Sequence, residues 1–356
     1  MKEYQNIAIV KLSAIGDIVH ALPVASALRK RFPKSHLTWI VEGKGREIVD
    51  GNPDLDEIIV FEKARWLKEF PYPHRTIPVL WDIIRFARRL HKADFDLVID
   101  LQGLIKSGVL TWLTGGNTRI GFSADYCRES VNARFTNLHV TPPQEDVHII
   151  DQCLSLVRGL EADTEHKQFR IHVPEKDQEY IEKFLEKNGV AKDKFLLIIN
   201  SGAGWDTKQW GVENYAQLAD RLIGDLGLEV IFLWGPSELD LVKSIQKKMQ
   251  QQALRACPTT LKQSMALMQR AQLFVSGDTG PLHIAAALNI PCVGIYGPSS
   301  PERNGPYGKM HGVVQTDVSC RNCFRRFCSS KECMKSIPVN KVIETIRNMI
   351  KGGYSA

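Results

Sequence analysis

Short runs of β-branched and aliphatic residues alternate along this chain with longer stretches whose apolar residues recur at helical spacing. In the first half, Ile7 to Leu12, Leu37 to Glu42, Glu57 to Phe61 and Asp96 to Leu101 predict strands. In the second half, Phe195 to Asn200, Glu229 to Trp234, Gln272 to Ser276 and Pro291 to Tyr296 do the same. Segments such as Ile18 to Arg31 supply crossover helices between them, so each half predicts a parallel sheet covered by helices.

The rhythm pauses at a charged stretch, Pro174 to Lys194, and then restarts. The expected fold is α/β, with two doubly wound, parallel-sheet, Rossmann-like domains facing each other across a cleft and ligands at the carboxyl ends of the strands. The expected boundaries are 1–172, 173–338 and a terminal piece, 339–356, whose helix runs from about Asn340 to Lys351. At 356 residues and 44% apolar composition, the chain can furnish two such cores. The charged stretch is polar but not rich in glycine or serine, so modest hinge motion is expected there.

Charge narrows the class. The chain carries 46 Lys and Arg against 40 Asp and Glu, a net +6 that is too small for a general nucleic-acid binder and compatible with anionic substrates or a membrane surface. No run of eighteen apolar residues occurs, and Met1-Lys2-Glu3 leads into a strand rather than a signal peptide, so a cytoplasmic location is expected. Eight cysteines in that setting read as reduced thiols or metal ligands rather than a disulfide framework.

Three junctions carry candidate chemistry. Val275 to His283 runs from a strand through Ser276-Gly277-Asp278-Thr279-Gly280 into a helix opened by Pro281, an arrangement that points backbone N–H groups at an anion. Ser13 to Asp17 joins the first strand to the first helix, where Gly16 permits close approach and Asp17 is placed either to cap the helix or to act as a base. Ser201 to Gly211 is a small-residue turn with one cation, Lys208, that can neutralise an anionic ligand at its mouth. A Gly-x-Gly-x-x-Gly after the first strand and a P-loop are both missing, which weakens dehydrogenase and kinase readings. No Asp-x-Asp element stands among the junctions, so no essential metal is expected.

Gly277 to His283, then Gly297-Pro298-Ser299-Ser300-Pro301-Glu302-Arg303 and Gly305-Pro306-Tyr307-Gly308, together with Lys11 to Pro23, resemble the bacterial lipopolysaccharide heptosyltransferases, family 9 glycosyltransferases of the two-Rossmann-domain GT-B class. The resemblance implies an inverting enzyme that moves heptose from ADP-heptose to the Kdo region of the lipid A core, with Asp17 as catalytic base and no essential cofactor. It implies donor contacts from Ser201, Lys208, Glu238 (after the Gly235-Pro236 turn), Thr259, Asp278, Thr279, Gly280, Leu282 and His283. It implies acceptor contacts from Gly16, Arg65, Lys68 and Arg128, and a terminal helix packed back on the first domain. His20, one turn after Asp17, is either a partner of that base or a surface histidine.

Two features fall outside those junctions. Val79 to Lys92 is an amphipathic basic helix that reads either as core-facing with a solvated polar face or as a support on anionic lipid at the cytoplasmic side of the inner membrane. Cys320, Cys323, Cys328 and Cys333 read as reduced structural thiols, with a disulfide pair or a metal site as alternatives. Rival functions are another nucleotide-sugar donor, the second heptose as the group transferred, and a non-catalytic nucleotide-sugar or metal-binding protein.

Overall fold

The first set of apolar runs hydrogen-bonds into one parallel sheet: β1 (Asn6–Val10), β2 (His36–Glu42), β3 (Glu57–Phe61), β4 (Leu97–Asp100), β5 (Thr118–Phe122) and β6 (Leu138–Val140), ordered β3-β2-β1-β4-β5-β6. The second set forms another: β7 (Leu196–Asn200), β8 (Glu229–Leu233), β9 (Leu254–Arg255), β10 (Leu273–Gly277), β11 (Cys292–Tyr296) and β12 (Gly312–Gln315), ordered β12-β11-β10-β7-β8-β9. Counted within its own unit, each sheet has the order third, second, first, fourth, fifth, sixth. The reversal therefore falls between β1 and β4 in one unit and between β7 and β10 in the other, where open α/β sheets bind ligands. This computed structural model describes residues 3–352 and divides between His172 and Val173.

Burial explains why the central strands are legible. Every residue of β4, β7, β10 and β11 is buried, and each buried Val, Leu or Ile contributes about 1.5–3 kcal/mol. Four further strands, β5, β6, β9 and β12, are absent from the apolar pattern because they are short, partly exposed or interrupted by glycine. Gly121 in β5 is required by packing: a Cβ there would meet Thr136 Cγ2 at 2.7 Å.

Several expectations change on the structure. Most of the charged stretch after Pro174 is a helix, Glu175–Lys187, which buries Ile181 and Leu185 and ties Glu182 to Arg270 at 2.6 Å. Two apolar residues one turn apart among charges are enough to make it part of the second unit's packing. The terminal helix, Val339–Lys351, buries Val339, Val342, Ile343 and Ile346 in the core of the second unit. The basic helix runs Pro73–Lys92 and buries Val79 and Leu90, yet it leaves Ile77, Leu80, Trp81, Ile83 and Ile84 exposed, which the core-facing reading does not provide for.

Candidate active site

At the first reversal, the loop after β1 is held by the loop after β4. Gln102 Oε1 accepts from the N–H groups of Leu12 and Ser13 at 2.9 and 3.1 Å, and Lys11 Nζ donates to the Leu101 carbonyl at 2.6 Å. Lys106, on the helix Ile105–Leu113, reaches back to Ser13 Oγ at 3.1 Å and Glu42 at 2.6 Å. Asp17 sits in the first turn of the helix Ile15–Arg31, where its Oδ2 accepts from the Ala14 N–H at 3.1 Å. The helix starts three residues before Ile18, so Asp17 closes the first turn from inside rather than capping from outside. Its carboxylate is half-buried, with no other partner among the described residues. His20 is buried, not on the surface, and meets His148 edge to face at 5.8 Å.

Gly16 lies beside Asp17 on the same turn. Arg65 is exposed on the helix Lys63–Glu69 and pairs with Asp82 at 3.0 Å. Lys68, Arg128 and Glu129 are exposed in the first unit, and Glu129 accepts from Ile105 N–H at 2.6 Å.

The second reversal gathers charge instead. Lys208, from the turn after β7, places Nζ 2.5 Å from Asp278 Oδ2 and 3.2 Å from the Asp278 carbonyl, in the turn after β10. His283 Nε2 lies 3.1 Å from the other carboxylate oxygen, and all three side chains are largely buried. Burial pushes the Asp278 carboxyl up, but the His283 hydrogen bond and the charges of His283 and Lys208 outweigh it and hold the group well below the usual carboxylate range.

Thr279 precedes the helix Gly280–Ala287, with Pro281 in its first turn as the sequence predicts. The Thr279 hydroxyl meets Ser276 Oγ at 3.0 Å and Asn200 Nδ2 at 3.5 Å. The Gly280 N–H, at the helix start, has no intrahelical acceptor. Leu282 is different: its side chain is wholly buried and its N–H is bonded to Thr279 O, so it packs the junction rather than lining it.

Around this cluster, Glu238 accepts from Gly235 N–H at 2.7 Å at the start of the helix Leu239–Lys248. A Cβ on Gly202 would fall 1.8 Å from Glu238 Oε1, so the glycine after Ser201 is what admits that carboxylate. Thr259 binds Ser264 Oγ at 2.8 Å. Ser201 Oγ and Ser299 Oγ, just beyond the ends of β7 and β11, are buried without a hydrogen-bond partner. Unsatisfied buried hydroxyls are costly, and a polar ligand at the strand ends would satisfy them.

All eight cysteines are free thiols, and among the described residues no set of three or more His, Cys, Asp or Glu is arranged to hold a metal. The segment carrying four of those thiols is instead a strap. Thr207 Oγ1 donates to the Arg325 carbonyl at 2.9 Å, Lys331 pairs with Asp206 at 2.5 Å, and Lys208 Nζ and the Arg326 guanidinium lie 4.3 and 4.9 Å from the Trp205 ring. Asn322 and Phe324 donate backbone N–H groups to Gly297 and Pro298 carbonyls. Lys106, Gln102 and this strap are the parts that sequence reasoning missed. The rule that ligands gather where strand order reverses would have flagged the first two.

Two doubly wound sheets, the second with a lysine and a helix start converging at its reversal, are the architecture of the GT-B class. The chain belongs to glycosyltransferase family 9 (heptosyltransferase), whose profile matches residues 83–334. It is 28% identical over 335 residues to lipopolysaccharide heptosyltransferase 1 of Pseudomonas aeruginosa, covering 91% of this chain and 87% of that one. Its fold is similar to the crystal structure of a family 9 glycosyl transferase from Veillonella parvula, at TM-score 0.81 and 24% identity over 99% of this chain and 98% of that one. It is also similar to the E. coli heptosyltransferase WaaC solved with ADP-2-deoxy-2-fluoro heptose, at TM-score 0.75 and 22% identity over 97% and 99%. Among the described residues no helix is long and apolar enough to cross a membrane.

Proposed function

We propose that this protein transfers heptose from ADP-heptose to a Kdo residue of the lipopolysaccharide inner core, with inversion at the anomeric carbon, working at the cytoplasmic face of the inner membrane. The observation that carries the reading is the buried Lys208–Asp278–His283 cluster at the start of the helix Gly280–Ala287, beside the unpartnered Ser201 and Ser299 hydroxyls. An ammonium has three donors, and Asp278 uses those directed at its carboxylate and carbonyl, which leaves Lys208 one for a phosphate oxygen.

The acceptor hydroxyl attacks the anomeric carbon while its proton passes to the half-buried Asp17 carboxylate. The bond from that carbon to the diphosphate breaks, and ADP departs with the electron pair. Lys208, the Thr279 hydroxyl and the Gly280 N–H receive the developing charge. Glu238, whose acceptor oxygens suit two vicinal hydroxyls, takes the ribose, and Thr259 the adenine end. Asp278 orients Lys208 and His283 and accepts from heptose hydroxyls. Arg65, Lys68 and Arg128 are cations suited to the acceptor's carboxylates and phosphates.

Incubation with ADP-heptose and Kdo2-lipid A, read by mass spectrometry, tests the reading. It expects the acceptor to gain one heptose with stoichiometric ADP. Tight donor binding without transfer would favour a binding protein, and gain of a different sugar would replace the donor.

A further inference from the structure

We infer that the outward face of the helix Pro73–Lys92 docks on an anionic lipid bilayer. This deepens the proposed work on a lipid-linked acceptor, but it rests on a surface that stands apart from the transfer chemistry. The helix is apolar on two sides. Val79 and Leu90 face inward and are buried, while Ile77, Leu80, Trp81 and Ile84, spaced three and four apart, lie on the opposite side at 66%, 46%, 53% and 41% exposure. The preceding helix, held to it by Trp66 against Phe86 at 5.5 Å, adds Leu67, and the connection adds exposed Phe70 and Tyr72. A contiguous exposed stripe of this kind marks an interaction site, since scattered apolar residues would not keep helical register.

Charge chooses the occupant. One turn beyond Trp81 and Ile84 the same helix turns cationic, and Arg85, Arg88, Arg89 and Lys92 line an open recess of about 520 Å³. Arg89 is matched by Glu57, and Arg85 lies 3.7 Å from Asp82, whose carboxylate also serves Arg65. Arg88 and Lys92 have no carboxylate within 4.0 Å among the described residues. A second copy docked through the same stripe would bring these unmatched cations toward their own equivalents, which opposes a self-contact. A bilayer satisfies both halves: aliphatic and indole side chains enter the acyl boundary, while arginines and lysines meet headgroup phosphates.

The test is flotation of the full chain with phosphatidylcholine vesicles with or without phosphatidylglycerol. Binding is expected only with the anionic lipid and is expected to weaken as salt is raised. Neutralising Arg85, Arg88 and Lys92 together to Gln should lower partitioning by roughly a hundredfold, at about fivefold per cation. The triple change Ile77→Ser, Trp81→Ser, Ile84→Ser should abolish it, while the melting temperature holds because those side chains are exposed. Both variants should transfer sugar to a water-soluble, delipidated acceptor at the unaltered rate, so failure of docking and failure of the transferase reading give different results. Equal binding by the variants, no preference for anionic lipid, or an unaltered chain that is a dimer and becomes a monomer on the Ser changes would overturn the inference.

Discussion

Asp100 closes the fourth strand of the first unit and Asp278 lies in the turn just after the fourth strand of the second, each beside the reversal of strand order, and their electrostatics are opposite. Asp100 is fully buried and accepts only from neutral donors: the Gln102 and Gly103 N–H groups, Ser107 and Asn132. Burial therefore pushes its carboxyl above the usual range. Asp278 has Lys208 and His283 against it and is driven below that range. One topology thus holds one buried carboxylate among neutral donors, in the network that fixes a loop, and another between two basic side chains. Position in the fold selects where a site forms, and the partners supplied by neighbouring loops decide its chemistry.

The proposed division of labour can be broken from either side. Asp17→Asn keeps an oxygen for the Ala14 N–H but cannot take a proton, so kcat should fall by about 10²–10⁴-fold with the melting temperature unchanged. Lys208→Ala should lower kcat by about 10²–10³-fold. It should also cost about 3 kcal/mol in urea unfolding, because it strips a cation from a buried carboxylate. Adding Asp278→Asn should recover part of that stability and none of the rate, and recovery of rate would contradict the proposed part played by Lys208.

Acid sensitivity should also sort between two groups of the second unit. His311 is pushed down to about 4 by burial, with Nδ1 accepting from Cys292 N–H at 3.2 Å and Nε2 facing the Tyr307 carbonyl at 3.1 Å. Its folded form resists a proton that the unfolded chain accepts below its ordinary 6.5. Stability should therefore fall as pH drops from 6.5 to 4, by up to about 3 kcal/mol. Asp278 has the depressed carboxylate's sign: its contribution is present above 3.8 and is lost only below. Chemical unfolding across pH should show the shallower His311 limb first, and His311→Ala should flatten it. The smallest expected effect is that of Gly202→Ala, whose Cβ would displace Glu238. Donor KM should rise about tenfold, with kcat within twofold, for the loss of one charged hydrogen bond.

Much of this was legible before the fold. The central strands announce themselves because they are apolar throughout, and Asp17, Lys208 and Asp278 to Gly280 stand at the strand-to-helix junctions. What stayed hidden depended on distance in three dimensions. Lys106 reaches Ser13 across 93 residues, and Thr207 meets Arg325 across 118, so neither leaves a local pattern. For the basic helix Pro73–Lys92 the sequence offered two readings, core-facing or resting on lipid, and could not choose between them. Apolar residues at helical spacing ordinarily mean burial, and this helix has two such faces with room for only one inside. The four thiols were conspicuous in the sequence, but the backbone carbonyls and cations between them are what brace the lysine turn.

The most direct test of the central claim, that the base comes from the first unit and the leaving group's partners from the second, is donor affinity measured beside single-turnover transfer in Asp17→Asn and Lys208→Ala. The account predicts a split: Asp17→Asn binds ADP-heptose as the unaltered chain does and fails to transfer it, whereas Lys208→Ala loses both affinity and rate. Transfer at the unaltered rate by Asp17→Asn, or loss of donor binding in that variant, would contradict it.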